Sequence, residues 1–414
     1  MTIQKQNTAR GALSHLRVLD MSRVLAGPWA GQILADLGAE VIKIERPGSG
    51  DDTRGWGPPY LKDREGRDTQ ESAYFLAANR GKKSVAVDIS HPEGQAVVRR
   101  LATQCDVLLE NYKAGDLQRY GLGYEDLKAL NHGLIYCSIT GFGQTGPMRA
   151  VAGYDFIIQG IGGLMSITGE RDDLPGGGPQ KVGVAVADIT TGMYATVAIL
   201  AALAHRTQTG EGQYIDMALL DVQVAMIANM NMNYLVSGNV PRRQGNAHAN
   251  IVPYQVFDAA DGQMVLAVGN DSQFAKFCAA AGCDLAQDVR FRKNADRVRN
   301  RAVLVPLLDK VLHTRTVEQW VALLEPLGIP VGPINNIAQV FEHPQVLSRG
   351  MRIELPHPLS GSVPSVANPI KMSVSPVRHE LAPPMLGQHT LEVLQARLGL
   401  SADEVEQLRA CGVI

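Results

Sequence analysis

The chain has 414 residues, 45% apolar and 19% charged, an ordinary globular make-up that excludes global disorder. Lys and Arg (39) against Asp and Glu (41) give a formal net charge of −2, which argues against nucleic acid as the main partner. The five cysteines (Cys105, Cys137, Cys278, Cys283, Cys411) are few, odd in number and scattered, which excludes a disulfide framework and a zinc ribbon and points to a reducing compartment.

At about 150 residues per domain, two or three units are expected. Lys5, Arg10 and Arg17 stand in an acid-free start, as in a transit peptide. Leu16–Asp20 already reads as a first core strand, so the expected location is cytoplasmic, with the mitochondrial matrix as the alternative. From there to about Ser138, short β-branched runs alternate with helical ones. Leu16–Asp20 is followed by a helix over Gly27–Leu37 and a strand over Glu40–Glu45. A strand over Lys83–Ile89, a helix over Glu93–Gln104 and strands at Asp106–Glu110 and Gly133–Ile139 come next. Strands of this length separated by helices mean βαβ units and a doubly wound parallel sheet, a Rossmann-like α/β fold. Helices are expected over Ile189–His205 and Leu219–Leu235. The first is apolar but too short for a bilayer span, and reads as buried.

After Gly245 the texture changes. Tyr254–Phe257 and Met264–Val268 read as a hairpin around Asp261-Gly262. Helices follow near Ser272–Ala281, Arg299–Leu312 and Val317–Leu324, so this part is a smaller α+β domain. The tail from Leu355 is rich in Pro and Gly until a last helix near Ala402–Arg409.

Gly141-Phe-Gly-Gln-Thr-Gly146 matches the dinucleotide fingerprint G-x-G-x-x-G. Pro147 follows at once, and no acid stands where a ribose partner belongs, so the segment reads as a glycine turn. Phosphate-loop and nucleophile-elbow motifs are missing, and none of the ten histidines has metal-ligand spacing, so no metal site is expected. Asp188 is the only charge between Val182 and Leu203. It reads either as a helix N-cap or as a nucleophilic carboxylate, and the two are compatible, because a helix N-terminus favours the anion. Arg46, the run Asn79–Lys83, Asn111 and Arg119 fall at strand ends or loops, where Arg and Lys would suit a ligand with phosphates.

Arg23–Pro28, Gly38–Pro47, Gly50–Arg54, Asn79–Ser84, Glu110-Asn111, Tyr136–Pro147, Gly210–Gln213 and Leu386–Thr390 together resemble the class III CoA-transferases, in order from about residue 15 to the C-terminus. The resemblance implies a CoA thioester as substrate, no prosthetic group and no membrane or nucleic-acid partner. It also implies a homodimer of interlocked ring-like subunits. The domains it implies are a large Rossmann-like CoA-binding domain (1–225), a linker (226–250), a small α+β domain (251–335) and a return segment completing the large domain (336–414). By position, Asp188 matches the family's catalytic aspartate. Val24, Ala26, Arg46, Val87, Asn111, Tyr112 and Arg119 fall where relatives hold CoA, and Tyr154 and Asp155 match a pair near the reacting centre.

The family's racemases need a His where this chain has Tyr154, and its oxalate enzymes have a Gln where this chain has Leu25 and a glycine run where it has Gly245–Gln255. Trp56–Pro59, Gly121–Asp126, Ile251–Gln255, Val331–Asn336 and Pro344–Leu347 look like the branch that exchanges CoA between succinyl-CoA and glutarate. The implied substrates are a dicarboxylic acyl-CoA and a free dicarboxylate. Arg23, His248 and Arg242 are candidates for the distal carboxylate, and the Gly162-Gly163 turn for the oxyanion. The rival readings are a 2-methylacyl-CoA racemase, a nicotinamide dehydrogenase using Gly141–Gly146, and an acyl-CoA-binding protein in which Asp188 is only a cap.

Overall fold

A computed structural model describes residues 11–414. They fall into two compact units, one of residues 11–163, 182–232 and 344–414, the other of residues 164–181 and 233–343.

The first unit is built on β1 (Arg17–Asp20), α1 (Ala26–Asp36), β2 (Glu40–Glu45), the hairpin β3 (Tyr60–Lys62) and β4 (Asp68–Ser72), and α2 (Ala73–Ala78). β5 (Lys82–Ala86), α3 (Pro92–Ala102), β6 (Val107–Glu110), α4 (Tyr124–Lys128), β7 (Ile135–Thr140) and α5 (Asp155–Ile161) continue it. After α6 (Leu164–Ile167), which belongs to the second unit, come α7 (Val186–Thr209), β8 (Tyr214–Ala218) and α8 (Leu219–Met226), and α9 (Asn229–Ser237) begins in the first unit and ends in the second. Six strands form one parallel sheet in the order β5-β2-β1-β6-β7-β8. The direction of winding reverses at β1, between β2 and β6, so the loops leaving β1 and β6 part there and open a crevice at the carboxyl ends.

The sheet is buried on both faces, which is why its strands read as near-continuous apolar runs. Leu19, Ile42, Val85, Leu108 and Tyr136 meet α3, α4 and the C-terminal helices. Val18, Val41, Val107, Ile135 and Cys137 meet α1, α5 and α7. Gly192 sets the approach of α7 to α1. A Cβ there would lie 2.5 Å from the Ala26 carbonyl oxygen and 3.1 Å from Trp29. Only glycine lets the helices touch, and the touch sets Asp188, one turn earlier on α7, close to the start of α1.

The second unit holds the antiparallel strands β9 (Tyr254–Asp258), β10 (Gln263–Ala267) and β11 (Val331–Pro333), in the order β11-β10-β9. Around them pack α10 (Asp271–Ala281), α11 (Asn294–Arg299), α12 (Arg301–Leu312) and α13 (Val317–Leu324), on a core with Phe257, Phe274, Leu308 and Trp320. After α14 (Ile337–Glu342) and α15 (Pro344–Ser348), the chain adds the hairpin β12 (Arg352–His357) and β13 (Gly361–Val366) and the helices α16 (Thr390–Leu398) and α17 (Ala402–Ala410) to the first unit.

The mixed α/β class and the parallel sheet agree with the sequence reading; several elements do not. The helix expected over Leu219–Leu235 breaks at Ala228, whose φ of +46° belongs to the left-handed region, giving α8 and α9. The helix read as buried is buried on one side only: Ala187, Thr191, Ala195 and Ile199 face inward, while Met193, Tyr194 and Val197 are exposed. The helix expected over Arg299–Leu312 is α12, starting two residues later at Arg301; Arg299 instead closes the separate α11, which that reading lacks. Strand β8, the two hairpins and α16 have no counterpart in that reading. The hairpin strands are short and rich in polar or Pro residues, which removes their alternation.

Candidate active site

The crevice at the switch point holds two adjoining cavities in the first unit. One, of about 410 Å³, is lined by Lys43, Glu45, Arg46, Asp51, Val87, Ser90, Tyr112 and Tyr120, among others. The other, of about 230 Å³, is lined by Val24, Leu25, Ala26, Asn111, Lys113, Thr140, Arg149, Tyr154 and Asp188, among others. Arg23, Asp52, Tyr112 and Asp116 belong to both walls.

The loop leaving β1 is held from three sides. Asn111, the first residue after β6, accepts from the Arg23 amide at 2.8 Å and donates to the Arg23 carbonyl at 2.7 Å. Lys43 on β2 donates to the Ser22 carbonyl at 2.8 Å and pairs with Asp51 at 2.9 Å, both side chains fully buried. Asp51 in turn accepts from the Val24 amide at 3.2 Å. Val24 takes a φ of +70°, a conformation that a β-branched residue adopts only under constraint. This clamp presents Val24, Leu25 and Ala26 to the smaller cavity.

Asp188 is the third residue of α7 and is not its cap. The cap comes from Asp155, at the start of α5, whose carboxylate accepts from the Ala187 amide at 2.7 Å and the Asp188 amide at 3.3 Å. Gln159, fully buried, donates to the other Asp155 oxygen at 2.7 Å and accepts from the Val182 amide at 2.9 Å. The N-cap reading of Asp188 is therefore corrected, and Asp155 serves the backbone of the aspartate's helix. Burial pushes the Asp188 carboxyl up to about 7, and the neighbouring Asp155 charge adds to the rise. Burial, then Asp188, Asp155 and Asp51, push the Tyr74 phenol up to about 12.

The other expected residues divide. Arg46, Val87 and Tyr112 line the larger cavity, and Tyr154, largely exposed, lines the smaller. Arg23 lies over the Tyr112 ring at 5.3 Å and pairs with Asp52 at 3.0 Å. Arg119 lines neither cavity; its guanidinium pairs with Asp116 at 2.6 Å, and Asp116 lines both. Gly162 and Gly163 line neither. Gly162 closes α5 against Gln223, where a Cβ would meet its Cγ at 2.5 Å, so the expected oxyanion turn is a packing turn. His248 lies in the second unit, stacked near Tyr254 with Nδ1 accepting from the Asn250 amide at 3.0 Å, and Arg242 belongs to that unit too.

The basic run at Asn79–Lys83 was expected to meet phosphates and does not. Arg80 pairs with Asp36 and Lys82 with Asp20, all four buried, and Lys83 pairs with Glu40 and Glu392. Lys82 opens β5, at the amino end of the sheet. Gly141–Gly146 forms turns after β7 with no helix at its end, as the dinucleotide fingerprint would need. Tyr74, Lys113, Arg149 and Gln159 were missed, since each sits in a segment whose pattern signals only an ordinary helix or loop.

The family model of CoA-transferase family III matches residues 13–390. The chain belongs to that family. This CoA-transferase is 51% identical over 383 residues to the succinate–glutarate CoA-transferase of Agrobacterium fabrum, covering 92% of this chain and 94% of that one. It is 43% identical over 403 residues to the succinyl-CoA:glutarate CoA-transferase of Homo sapiens, covering 97% and 90%. Among solved structures it superposes on a CAIB/BAIF family protein from Brucella suis with a TM-score of 0.82, at 48% identity over 94% of this chain and all of that one. The protein is an enzyme, and its family acts on CoA thioesters. Among the described residues no cluster of His, Cys, Asp and Glu is placed to hold a metal ion.

Proposed function

We propose that this CoA-transferase moves CoA from succinyl-CoA to a free dicarboxylate, glutarate foremost, with Asp188 as the covalent nucleophile. One observation carries the assignment of roles. A half-buried carboxylate stands in a small cavity that adjoins a larger, cation-bearing one at the sheet's switch point. The larger cavity, with Arg46, Val87, Tyr112 and Ser90, takes the nucleotide end of CoA, and the thioester reaches Asp188.

The Asp188 oxygen attacks the thioester carbon, the C–S bond breaks and CoA leaves as thiolate, giving a succinyl-aspartyl anhydride. The thiolate returns to the aspartyl carbonyl and expels succinate, leaving an aspartyl-CoA thioester. Glutarate attacks that carbonyl, the thiolate leaves again, and its last attack on the glutaryl carbon yields glutaryl-CoA and free Asp188. Each exchange between poor nucleophiles is thus split into two steps through an enzyme-bound acyl group. Burial serves this route twice: it strips water from the carboxylate and keeps water from the anhydride. Ala26 lines the same cavity and opens α1, which has no side-chain cap; Pro28 has no N–H and the Trp29 amide donates to the Leu25 carbonyl, so the Ala26 and Gly27 amides are the ones placed to stabilise an oxyanion.

The homodimer belongs to the same proposal. Phe156, Ile157 and Ile161 on α5, and Met193, Tyr194 and Val197 on α7, are exposed apolar residues, more than a soluble monomer ordinarily leaves on adjoining helices. A second subunit in the interlocked arrangement would cover them. Function is tested by mass spectrometry of purified enzyme with succinyl-CoA and a panel of mono- and dicarboxylates. Glutaryl-CoA should form, and Asp188→Asn should abolish its formation while CoA still binds. Substantial turnover by Asp188→Asn would refute the nucleophile assignment.

A further inference from the structure

Succinyl-CoA brings its free carboxylate into a cavity that holds the Asp188 carboxylate, and glutarate later brings its own second carboxylate to the same cavity. At 4 Å two such charges repel by about 4 kcal/mol in the intermediate dielectric of a protein surface, so the far end needs a cation of its own. Three cationic side chains line the Asp188 cavity: Arg23, Lys113 and Arg149. Arg23 is engaged, paired with Asp52 and laid over Tyr112. The remaining acid on that wall, Asp116, is engaged by Arg119.

Arg149 differs. It stands on the turn between β7 and α5, its amide held by the Gly146 carbonyl at 3.4 Å, with the Val151 amide held by the Met148 carbonyl at 2.9 Å just beyond. Neither its guanidinium nor the Lys113 ammonium forms an ion pair among the described residues, although the acids of the cavity wall, Asp188 apart, each have a cation. A planar guanidinium offers a carboxylate two parallel N–H donors, which an ammonium does not.

We propose that Arg149 is the specificity-determining residue of this enzyme, binding the non-reacting carboxylate of the dicarboxylate while the other end exchanges on Asp188. Lys113, on the same cavity wall, adds charge without the bidentate geometry. The free carboxylate of the succinyl donor uses the same guanidinium. The inference rests on the transferase reading and names a residue that the sequence did not single out.

The test compares glutarate with valerate, which keeps the five-carbon chain and replaces one carboxylate by a methyl group. The quantity read is kcat/KM for the acceptor, which in a two-stage exchange reports the acceptor half alone. Arg149→Gln should lower it for glutarate by about 10- to 100-fold, the range for one charge-assisted hydrogen-bonded contact. Valerate should change by less than about threefold, so the preference between the two acids collapses. Arg149→Lys should recover part of the glutarate rate. Glutaramate, with one end a neutral amide, should be a poor acceptor for the unaltered enzyme, a result that depends on no variant. An unchanged glutarate-to-valerate ratio in Arg149→Gln, or an equal loss for both acids, overturns the role of Arg149. Failure of the unaltered enzyme to form glutaryl-CoA overturns the transferase reading instead, so the two failures are distinct.

Discussion

Removing the Asp188 charge should abolish transfer and at the same time stabilise the protein, in a pH-dependent way. Burial and Asp155 raise the Asp188 carboxyl from the ordinary aspartate value of 3.8 to about 7. The folded state therefore holds a proton that the unfolded chain releases, and stability falls as pH climbs from about 3.8 to about 7. About three pH units at 1.36 kcal/mol each set a ceiling of about 4 kcal/mol. Water reaching the open cavity cuts this to about half, roughly 2 kcal/mol above pH 7. Asn keeps the shape and has no such titration. The melting temperature of Asp188→Asn minus that of the unaltered enzyme should therefore widen from pH 5 to pH 8, by about 2–3 °C at the sensitivity of a large domain. Titrating groups not coupled to Asp188 are common to both proteins and cancel in the difference. Scanning fluorimetry at four pH values, run beside the exchange assay, reads both effects. A melting difference that stays flat with pH, or narrows, refutes the claim that Asp188 is desolvated in the native state.

Three further outcomes follow from the same geometry. Asp155→Asn keeps an oxygen to accept from the Ala187 amide but removes the anion that holds Asp188 up, so the acidic limb of kcat/KM should move to lower pH. An unmoved limb counts against the coupling. Val24→Gly relieves a β-branched residue at φ +70° and should raise stability by about 1 kcal/mol while weakening CoA binding, because the loop is no longer confined; unchanged CoA affinity in titration calorimetry would deny the loop its role. Lys82→Met leaves Asp20 charged, buried and unpaired, at a cost of about 3–5 kcal/mol, which Asp20→Asn in the same chain should largely restore on denaturant unfolding; a mild single variant would mean that the pair is not desolvated.

The sheet was legible where strands are buried on both faces. Val-Leu-Asp on β1 and Val-Ile-Lys-Ile on β2 read as apolar runs because helices cover them from both sides. The hairpins escaped because a strand such as Gly361–Val366, with one buried residue in six, carries no period. Asp188 was legible as one charge in an apolar stretch, and family motifs named its role. Its cap was not, because Asp155 lies 33 residues earlier and helix geometry brings the two together. The basic run failed for the same reason. Arg80 and Lys82 advertise charge in sequence, while the acids that bury them, Asp36 and Asp20, stand 44 and 62 residues away.

Those distant partners also explain why so much charge lies beneath a site that handles anions. Lys43, Asp51, Arg54, Glu45 and Glu71 form a buried, mutually paired network under the loops that leave β1 and β2. Such pairs contribute little net stability, since desolvation offsets most of the attraction, but each is costly to break singly. They therefore act as fasteners. Lys43 binds the Ser22 carbonyl and Asp51 at once, and Asp51 binds the Val24 amide, so β2 dictates the backbone of the loop that faces Asp188. An apolar floor would pack as well but would leave Val24 free to relax out of its left-handed conformation. The network fixes the position of one wall of the reacting cavity while Arg149, on the turn after β7, keeps a cation without an ion pair for the substrate.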